Sequence, residues 1–233
     1  MSRYGSHTTR SNVDTINLGP VKKPFKGSVE RWRSQVRYEL ERQKIPLPED
    51  LILSVISIES GGIPGLINPR SNASGLGQIM PIALRQYNQY NPPINWEVMR
   101  QSSRDAANAQ IRVCVWTLAQ YWVIMAKSKA ILGTVGDLAR YADCAYTAGQ
   151  KPVFARIEKL PVPTWKNFFE RHFDWAPIKN HTTKVFKLFD ESQLDEKSIV
   201  SWLKTRSKTL LVKAQIFTPG LIALFFLVFA SKF

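Results

Sequence analysis

The chain has 233 residues, of which 44% are hydrophobic and 11% aromatic. This composition supplies enough apolar surface for a core and excludes a wholly disordered protein. With 32 Lys and Arg against 18 Asp and Glu, the formal net charge is +14, which favours anionic partners such as nucleic acid, acidic lipid or cell-wall polymer.

The cysteines and histidines exclude two further classes of protein. Two cysteines, Cys114 and Cys144, cannot form a framework of several disulfides. Both lie in apolar stretches, so we expect buried free thiols, with a single disulfide as the alternative. The histidines His7, His172 and His181 are scattered without the spacing of metal ligands, so we expect neither a metal nor another cofactor.

The first 27 residues differ in character from the rest of the chain. They contain no continuous apolar run, which a cleavable export signal needs, so we expect no export by that route. Low hydrophobicity and the turn formers Gly5, Gly19 and Pro20 predict a flexible basic arm over residues 1–27.

Four segments carry the periodicity or the end signals of α-helices. They begin at Ser28, at Pro48, near Arg104 and at Thr134, and the last three end at Gly61-Gly62, near Ala126 and at Gly149. No segment shows sustained strand alternation, so the predicted fold class is mainly α, with a domain over residues 28–176.

The C-terminal quarter predicts a membrane anchor. Residues 177–213 are charged and predict a helical connector that ends in basic residues. Residues 214–230 carry no charge and would span roughly 25 Å as a helix, close to a hydrocarbon core of about 30 Å. We expect a transmembrane helix here, with the preceding lysines and arginines against anionic headgroups. The alternative is a buried C-terminal helix.

Glu59 is the sharpest chemical feature of the sequence. In the predicted second helix it stacks with Ile52, Val55 and Ile56, so it lies on an apolar stripe. An apolar surrounding and the negative end of the helix dipole both disfavour a charged carboxylate, as a general acid near neutral pH requires. The alternative is a structural glutamate paired with an arginine.

Three motifs accompany this glutamate in chain order. They are Glu59-Ser60-Gly61, then Asn68-Pro69-Arg70-Ser71 followed by Ala73-Ser74-Gly75-Leu76-Gly77-Gln78-Ile79-Met80-Pro81, and finally Ala145-Tyr146-Thr147-Ala148-Gly149. Together they resemble the lytic transglycosylase family, relatives of goose-type lysozyme with the lysozyme-like fold. The resemblance covers roughly residues 45–150.

The resemblance implies a role for each matching residue. Glu59 becomes the catalytic acid and base, and Ser60, beside it in the same motif, becomes a substrate-binding candidate together with Ser71, Gln78, Tyr146 and Thr147. Gln78 would line the cleft and bind N-acetyl and backbone groups of the substrate, and Tyr146 would point its hydroxyl at the glutamate or the sugar. Ser71 matches the serine ahead of the glycine loop, with Ser74 as the alternative match.

The chain departs from the family pattern at three positions. Gly77 replaces the usual Met, Thr147 stands where Asn is usual, and Gln150 stands where Pro is usual. In the family the Asn normally helps to orient the glutamate, so its replacement by Thr147 bears on the reaction rate more than on the type of reaction. Thr147 remains one of the substrate-binding candidates. A threonine hydroxyl can still donate one hydrogen bond there.

The implied reaction needs a single carboxylate, whereas ordinary glycosidases use two. Glu59 would protonate the glycosidic oxygen between N-acetylmuramic acid and N-acetylglucosamine, while the substrate's N-acetyl group helps to stabilise the positive charge. The same residue would then take the proton of the muramic acid C6 hydroxyl, which closes a 1,6-anhydro ring. No Asp or Glu lies between Glu59 and Glu97, so the following loop offers no obvious second carboxylate.

The sequence therefore predicts a membrane-anchored peptidoglycan lytic transglycosylase that resembles a virion enzyme of a membrane-containing bacteriophage. Its expected partners are glycan strands, the lipid membrane and other virion membrane proteins, and its expected place is the virion inner membrane. The alternatives are a muramidase that hydrolyses the same bond and a non-catalytic, wall-binding virion membrane protein. A basic DNA-packaging protein ranks last, because no nucleic-acid-binding pattern supports it.

Overall fold

A computed structural model describes residues 25–127 and 134–217, with side chains described up to residue 206. Within these residues the fold is mainly helical, and the extended pairing is limited to two isolated β-bridges. The helices are α1 (Gly27–Glu30), α2 (Arg33–Gln43), α3 (Glu49–Ser60), α4 (Pro81–Tyr90), α5 (Trp96–Met99), α6 (Arg104–Met125), α7 (Val135–Ala148), α8 (Gln150–Ile157), α9 (Trp165–His172), α10 (Thr183–Leu188) and α11 (Glu196–Phe217). A π-helical turn (Pro177–Thr182) precedes α10, and a 3₁₀ turn (Glu191–Gln193) precedes α11.

Three of the four predicted helices are confirmed nearly residue for residue. Helix α3 ends at Gly61, which adopts the left-handed conformation with φ of 60°, as a glycine C-cap does. Helix α7 begins with a complete capping box between Thr134 and Asp137. Strong end signals explain this agreement.

The N-terminal part of the domain differs from the prediction. The helix expected from Ser28 is broken into α1 and α2, and the Ser28 hydroxyl donates a hydrogen bond to the Gly61 carbonyl instead of capping a helix. Trp32 lies at the break and donates through its ring N–H to the Gly62 carbonyl. Tertiary contacts with the end of α3 therefore set the structure here.

Helix α6 forms the centre of the core. It packs against α2, α4, α5 and α7, and Ile111, Leu118 and Trp122 on it are fully buried. Both cysteines are free and buried, Cys114 on α6 and Cys144 on α7, as the sequence predicted.

The domain runs past the predicted boundary at residue 176. Ile178, Val185 and Phe189 are buried in the same core as α3 and α7, and so are Ile199 and Leu203 on α11. The predicted connector is helical over much of its length, but it packs on the domain at least as far as Leu203 because it carries these apolar side chains between its charges.

The predicted membrane anchor remains a prediction. Among the described residues, no helix is both long enough and apolar enough to cross a membrane. Residues 214–217 form the end of α11, and the rest of the predicted span 214–230 lies outside the described residues, as do residues 1–24 of the predicted N-terminal arm.

A buried carboxylate joins α2 to α6. The Glu39 side chain has no exposed surface, and its oxygens lie 3.1 Å from Arg112 Nε and 2.7 Å from Arg42 Nη2. Both arginines keep part of their surface in water, so the two ion pairs of Glu39 connect the buried carboxylate with the protein surface.

We expect the Arg112→Leu variant to lose about 2 kcal/mol of unfolding free energy, because one buried Glu39 oxygen loses its charged donor. The matched control is Arg100→Leu, which removes an exposed pair with Glu97 at 3.5 Å and should cost less than about 0.5 kcal/mol. Urea unfolding followed by circular dichroism measures both. Equal losses would contradict a special role of the buried pair.

Candidate functional site

Glu59 lies in the last turn of α3, where the chain leaves the core. Its neighbours Val55 and Ile56 are completely buried, whereas the Glu59 side chain keeps 17% of its surface exposed. The left-handed turn at Gly61 ends the helix two residues later. The carboxylate is therefore held by a buried helix and can still reach the surface.

The side chain that meets Glu59 is His181, from a segment with no sequence signal for a site. His181 Nε2 lies 3.0 Å from Glu59 Oε1, at ion-pair distance but without the alignment of a hydrogen bond. Its other ring nitrogen, Nδ1, lies 3.1 Å from Asp143 Oδ2 on α7. One imidazole thus joins α3 and α7. Glu59 is paired with this histidine and not with an arginine, the partner that the structural alternative expected.

The electrostatics of this triad favour a charged histidine. Burial alone would lower the pKa of His181, but the close carboxyl groups of Asp143, which also hydrogen-bonds the ring, and of Glu59 outweigh burial and raise the pKa to about 10. At neutral pH His181 is therefore a buried imidazolium, placed between the side chains of Asp143 and Glu59.

Asp143 is fixed more firmly than Glu59. It is completely buried, and its Oδ2 accepts a second hydrogen bond of 2.5 Å from the Thr182 hydroxyl. Thr182 also lies 3.3 Å from the Cys144 sulfur. His181 and Thr182, adjacent in the chain, both reach the same carboxylate oxygen.

A π-helical turn holds these two adjacent residues. His181 and Thr182 end the turn Pro177–Thr182, and the Thr183 hydroxyl donates to the Ile178 carbonyl over 2.6 Å. Single π-turns within helices are rare and frequently occur at functional sites. The turn supports the assignment of this cluster as the site.

The loop between α3 and α4, residues 61–80, is held to the core by a buried glutamine. The Gln110 amide oxygen accepts from the backbone N–H groups of Leu76 and Gly65, at 3.0 and 3.3 Å, and its amide nitrogen donates to Val98 and Gln101. Two β-bridges, both through Ser74, complete the loop. Its backbone is therefore fixed before any ligand binds.

Ser60 and Gln78, both predicted to bind substrate, hold this loop in the structure. The buried Ser60 hydroxyl donates to the Leu76 carbonyl over 2.8 Å. Gln78 adopts an unusual φ of 46° and donates through its amide to the carbonyls of Leu66 and Gly75. A non-glycine residue in this conformation is strained, and such strain is concentrated at functional sites.

Tyr146 reaches the same loop from α7. Its hydroxyl donates a 2.5 Å hydrogen bond to the Gly77 carbonyl and lies 3.6 Å from Cys114 Sγ. Burial, together with the nearby Cys114 and Glu59, raises its pKa well above the usual tyrosine value, so the phenol is neutral. Tyr146 was predicted to point at the glutamate or the sugar; in the structure its hydroxyl bonds the loop, near enough to Glu59 for that residue to contribute to the raised pKa.

The departure at Gly77 has a structural reason. A Cβ atom at this position would lie 2.7 Å from both Cys114 Sγ and the Tyr146 hydroxyl. The space that a longer side chain would need is already filled by these two groups. Gly77 thus lets Tyr146 approach the backbone.

Ser71 and Thr147 are not brought into this cluster. Ser71 is exposed and accepts a hydrogen bond from the Ala73 N–H, while the alternative, Ser74, is buried and donates to the Asn72 carbonyl. Thr147 is exposed, and its hydroxyl donates back to the Asp143 carbonyl in its own helix. The hydrogen bonds of Ser71 and Thr147 therefore do not involve Glu59, and their roles in substrate binding stay predictions.

Asp143, His181 and Gln110 are the functional residues that sequence reasoning missed. Asp143 carried a usable signal, since it is a carboxylate among the buried positions of an apolar helix. His181 gave none, because an isolated histidine in a polar segment has many explanations. Gln110 resembled any polar residue of a long helix.

The triad is not a metal centre. The two nitrogens of His181 face the two carboxylates in opposite directions, so the three side chains cannot converge on one ion. Within the described ranges, no group of three His, Cys, Asp or Glu side chains could hold a metal ion.

Two surface cavities lie apart from Glu59. A groove of about 850 Å³ runs between α2 and α11, and a pocket of about 320 Å³ lies between α9 and α10, with Thr182 in its wall. Neither is lined by Glu59, Gln78 or Tyr146. Both cavities are therefore separate from the candidate site at Glu59.

The raised pKa of His181 predicts a pH-dependent contribution to stability. Because the folded-state pKa of about 10 exceeds the ordinary histidine value of 6.5, protonated His181 stabilises the fold fully below about pH 6.5 and loses this effect as pH rises through about 10. The difference in unfolding free energy between wild type and His181→Gln should shrink over this range. A constant difference in urea unfolding from pH 6 to 10 would contradict a charged His181.

We expect Gly77→Ala to destabilise the fold by about 1–3 kcal/mol, because the added methyl overlaps Cys114 and Tyr146. Gly27→Ala is the matched control, since a Cβ there meets nothing within 4 Å. Thermal unfolding of both variants measures the difference. An unchanged melting temperature for Gly77→Ala would show that the loop moves freely.

The comparisons with known proteins leave this geometry as the main guide. No model of a known protein family matches the chain, and no curated protein matches it either. Any function of the site must therefore be argued from the residues themselves.

Proposed function

We propose that the chain is a peptidoglycan lytic transglycosylase with a lysozyme-like domain, in which Glu59 is the catalytic acid and base. The observation that carries the proposal is that a single carboxylate of the triad reaches the surface. Glu59 is partly exposed, whereas Asp143 is completely buried behind His181.

A single accessible carboxylate restricts the chemistry. Glycosidases that work with two carboxyl groups need both of them next to the scissile bond. Asp143 cannot approach a sugar, because it has no exposed surface and lies on the far side of the imidazole. The arrangement favours a reaction in which one residue serves twice and the substrate supplies the second nucleophile.

In this reaction Glu59 first gives a proton to the glycosidic oxygen as the bond from that oxygen to C1 of N-acetylmuramic acid breaks. The substrate's own N-acetyl group would stabilise the positive charge at C1. Glu59 then takes the proton of the C6 hydroxyl as the C6 oxygen bonds to C1. The products are a free N-acetylglucosamine hydroxyl and a 1,6-anhydro ring, and no water is consumed.

The loop beside Glu59 supports a binding role for this face. The loop and the start of α4 present five exposed apolar side chains, namely Ile63, Leu66, Ile67, Met80 and Ile82. Such clusters on a surface commonly mark binding sites. The fixed backbone of the loop could hold N-acetyl groups without being ordered first.

The departure at Thr147 has a counterpart in the structure. The family's Asn would orient the glutamate, whereas Thr147 turns back to its own helix. In this chain His181 lies against Glu59 and can take over that orientation.

The cellular setting is also proposed. A virion enzyme anchored by residues 214–230 in the inner membrane of a membrane-containing bacteriophage would open the host cell wall locally during genome entry. The net charge of +14 suits both anionic lipid and the anionic cell wall. Glycan strands, lipid and other virion membrane proteins are its proposed partners.

The reaction is tested with the purified full-length chain on purified peptidoglycan, with mass spectrometry of the soluble products. We expect anhydro-muropeptides from the wild type and a rate at least about 100-fold lower for Glu59→Gln, because the amide cannot transfer the proton. The matched control is Glu170→Gln, which changes an exposed carboxylate on α9 and should leave the rate unchanged.

The other outcomes separate the alternatives. Products heavier by one water would identify a muramidase. Binding to insoluble peptidoglycan without release of any product would identify a wall-binding protein and overturn the proposed reaction.

A further inference from the structure

We propose that His181, held by Asp143, is a positioning residue that stores the proton of the acid–base pair and passes it to and from Glu59. This inference rests on the proposed role of Glu59. It goes beyond that role because it assigns a second residue, from a segment outside every sequence motif, to the same reaction.

The geometry provides a continuous path for this proton. Nε2 of His181 lies 3.0 Å from Glu59 Oε1, and Nδ1 lies 3.1 Å from Asp143 Oδ2. The Nε2–H is not aligned with the oxygen in the free protein. Catalytic hydrogen bonds are often poorly aligned until substrate binds, and the Glu59 side chain is partly exposed and so not enclosed on all sides.

Asp143 acts here as the fixed end of the path. It has no exposed surface and accepts from both His181 and Thr182. A buried carboxylate with two donors keeps Nδ1 protonated, so the proton that can move is the one on Nε2. The same arrangement fixes the plane of the imidazole ring.

The proton balance of the cycle is closed. At rest the shared proton is on Nε2 of His181, and its transfer to Oε1 of Glu59 gives a neutral acid and a neutral imidazole. Glu59 spends this proton on the glycosidic oxygen and regains one from the C6 hydroxyl. Return of that proton to Nε2 restores the resting pair, with no net proton taken up or released.

The groups around the pair support this assignment. The charged side chains facing His181 are Glu59 from α3 and Asp143 from α7. The other titratable neighbours on these elements, Tyr146 and Cys144, have pKa values raised by burial and stay neutral. The proton on the pair is therefore retained to a higher pH than an isolated carboxyl in water, which is protonated only below about pH 4 to 5.

The first experiment is the pH profile of anhydro-muropeptide release by the full-length chain. With His181→Gln, which cannot be charged, we expect a rate about tenfold lower at neutral pH and an alkaline limb moved to lower pH by about one unit or more. His172→Gln, at a histidine outside the triad, is the matched control and should keep the wild-type profile. Superposable profiles for wild type and His181→Gln would overturn the proposal.

A second measurement does not depend on activity. Imidazole NMR signals of the three histidines, assigned with the His181→Gln and His172→Gln variants, give the pKa of His181 directly. We expect this pKa to fall by about one unit or more in Glu59→Gln, while that of His172 stays the same. An unchanged titration of His181 in Glu59→Gln would overturn the pairing, even if the enzyme cleaves peptidoglycan.

The two measurements separate the inference from the proposed function. A chain that releases no product but shows the Glu59-dependent titration contradicts the transglycosylase reaction and leaves the coupled pair intact. A chain that releases anhydro products with a normal His181 titration supports the reaction and contradicts the proton store.

Discussion

The structure depends on how one buried charge is neutralised. Asp143 has no contact with water, and a buried carboxylate without partners would be too costly to keep. Its partners His181 and Thr182 come from a later segment of the chain, which must fold back over α7 to supply them. The same imidazole also contacts Glu59 at the end of α3. Because the buried Asp143 charge needs a partner, α3, α7 and the π-helical turn are held together at one place.

The loop after α3 shows a second use of buried polar groups. The Gln110 side chain forms hydrogen bonds with the loop backbone and with the segment before α6. Ser60 and Tyr146 donate hydrogen bonds to the carbonyls of Leu76 and Gly77. Fully satisfied polar networks rigidify a core. The surface beside Glu59 is therefore backed by hydrogen bonds as well as by apolar packing, which is what a preorganised binding surface requires.

The sequence predicted what is encoded locally. Glycine caps, a capping box and apolar periodicity correctly gave α3, α6 and α7, and the left-handed turn at Gly61 followed from its residue type. The short helices α4, α5, α8 and α9 were missed, because each is too short to show an apolar period. Only part of the candidate site could be predicted. Glu59, Gln78 and Tyr146 lie in sequence motifs, whereas His181 joins the site through a tertiary contact that no local sequence pattern indicates.

The position of His181 in the chain has a consequence for biosynthesis. Glu59 and His181 are separated by about half the length of the chain, and chains emerge from the ribosome from the N-terminus onward. Helices α2 to α7 can form early, since their contacts are mostly between neighbours, but the buried carboxylate on α7 waits for its cationic partner. The cluster is thus completed only after the chain has been synthesised past residue 182, and a polypeptide released before this segment would hold Glu59 and Asp143 without the imidazole that joins them.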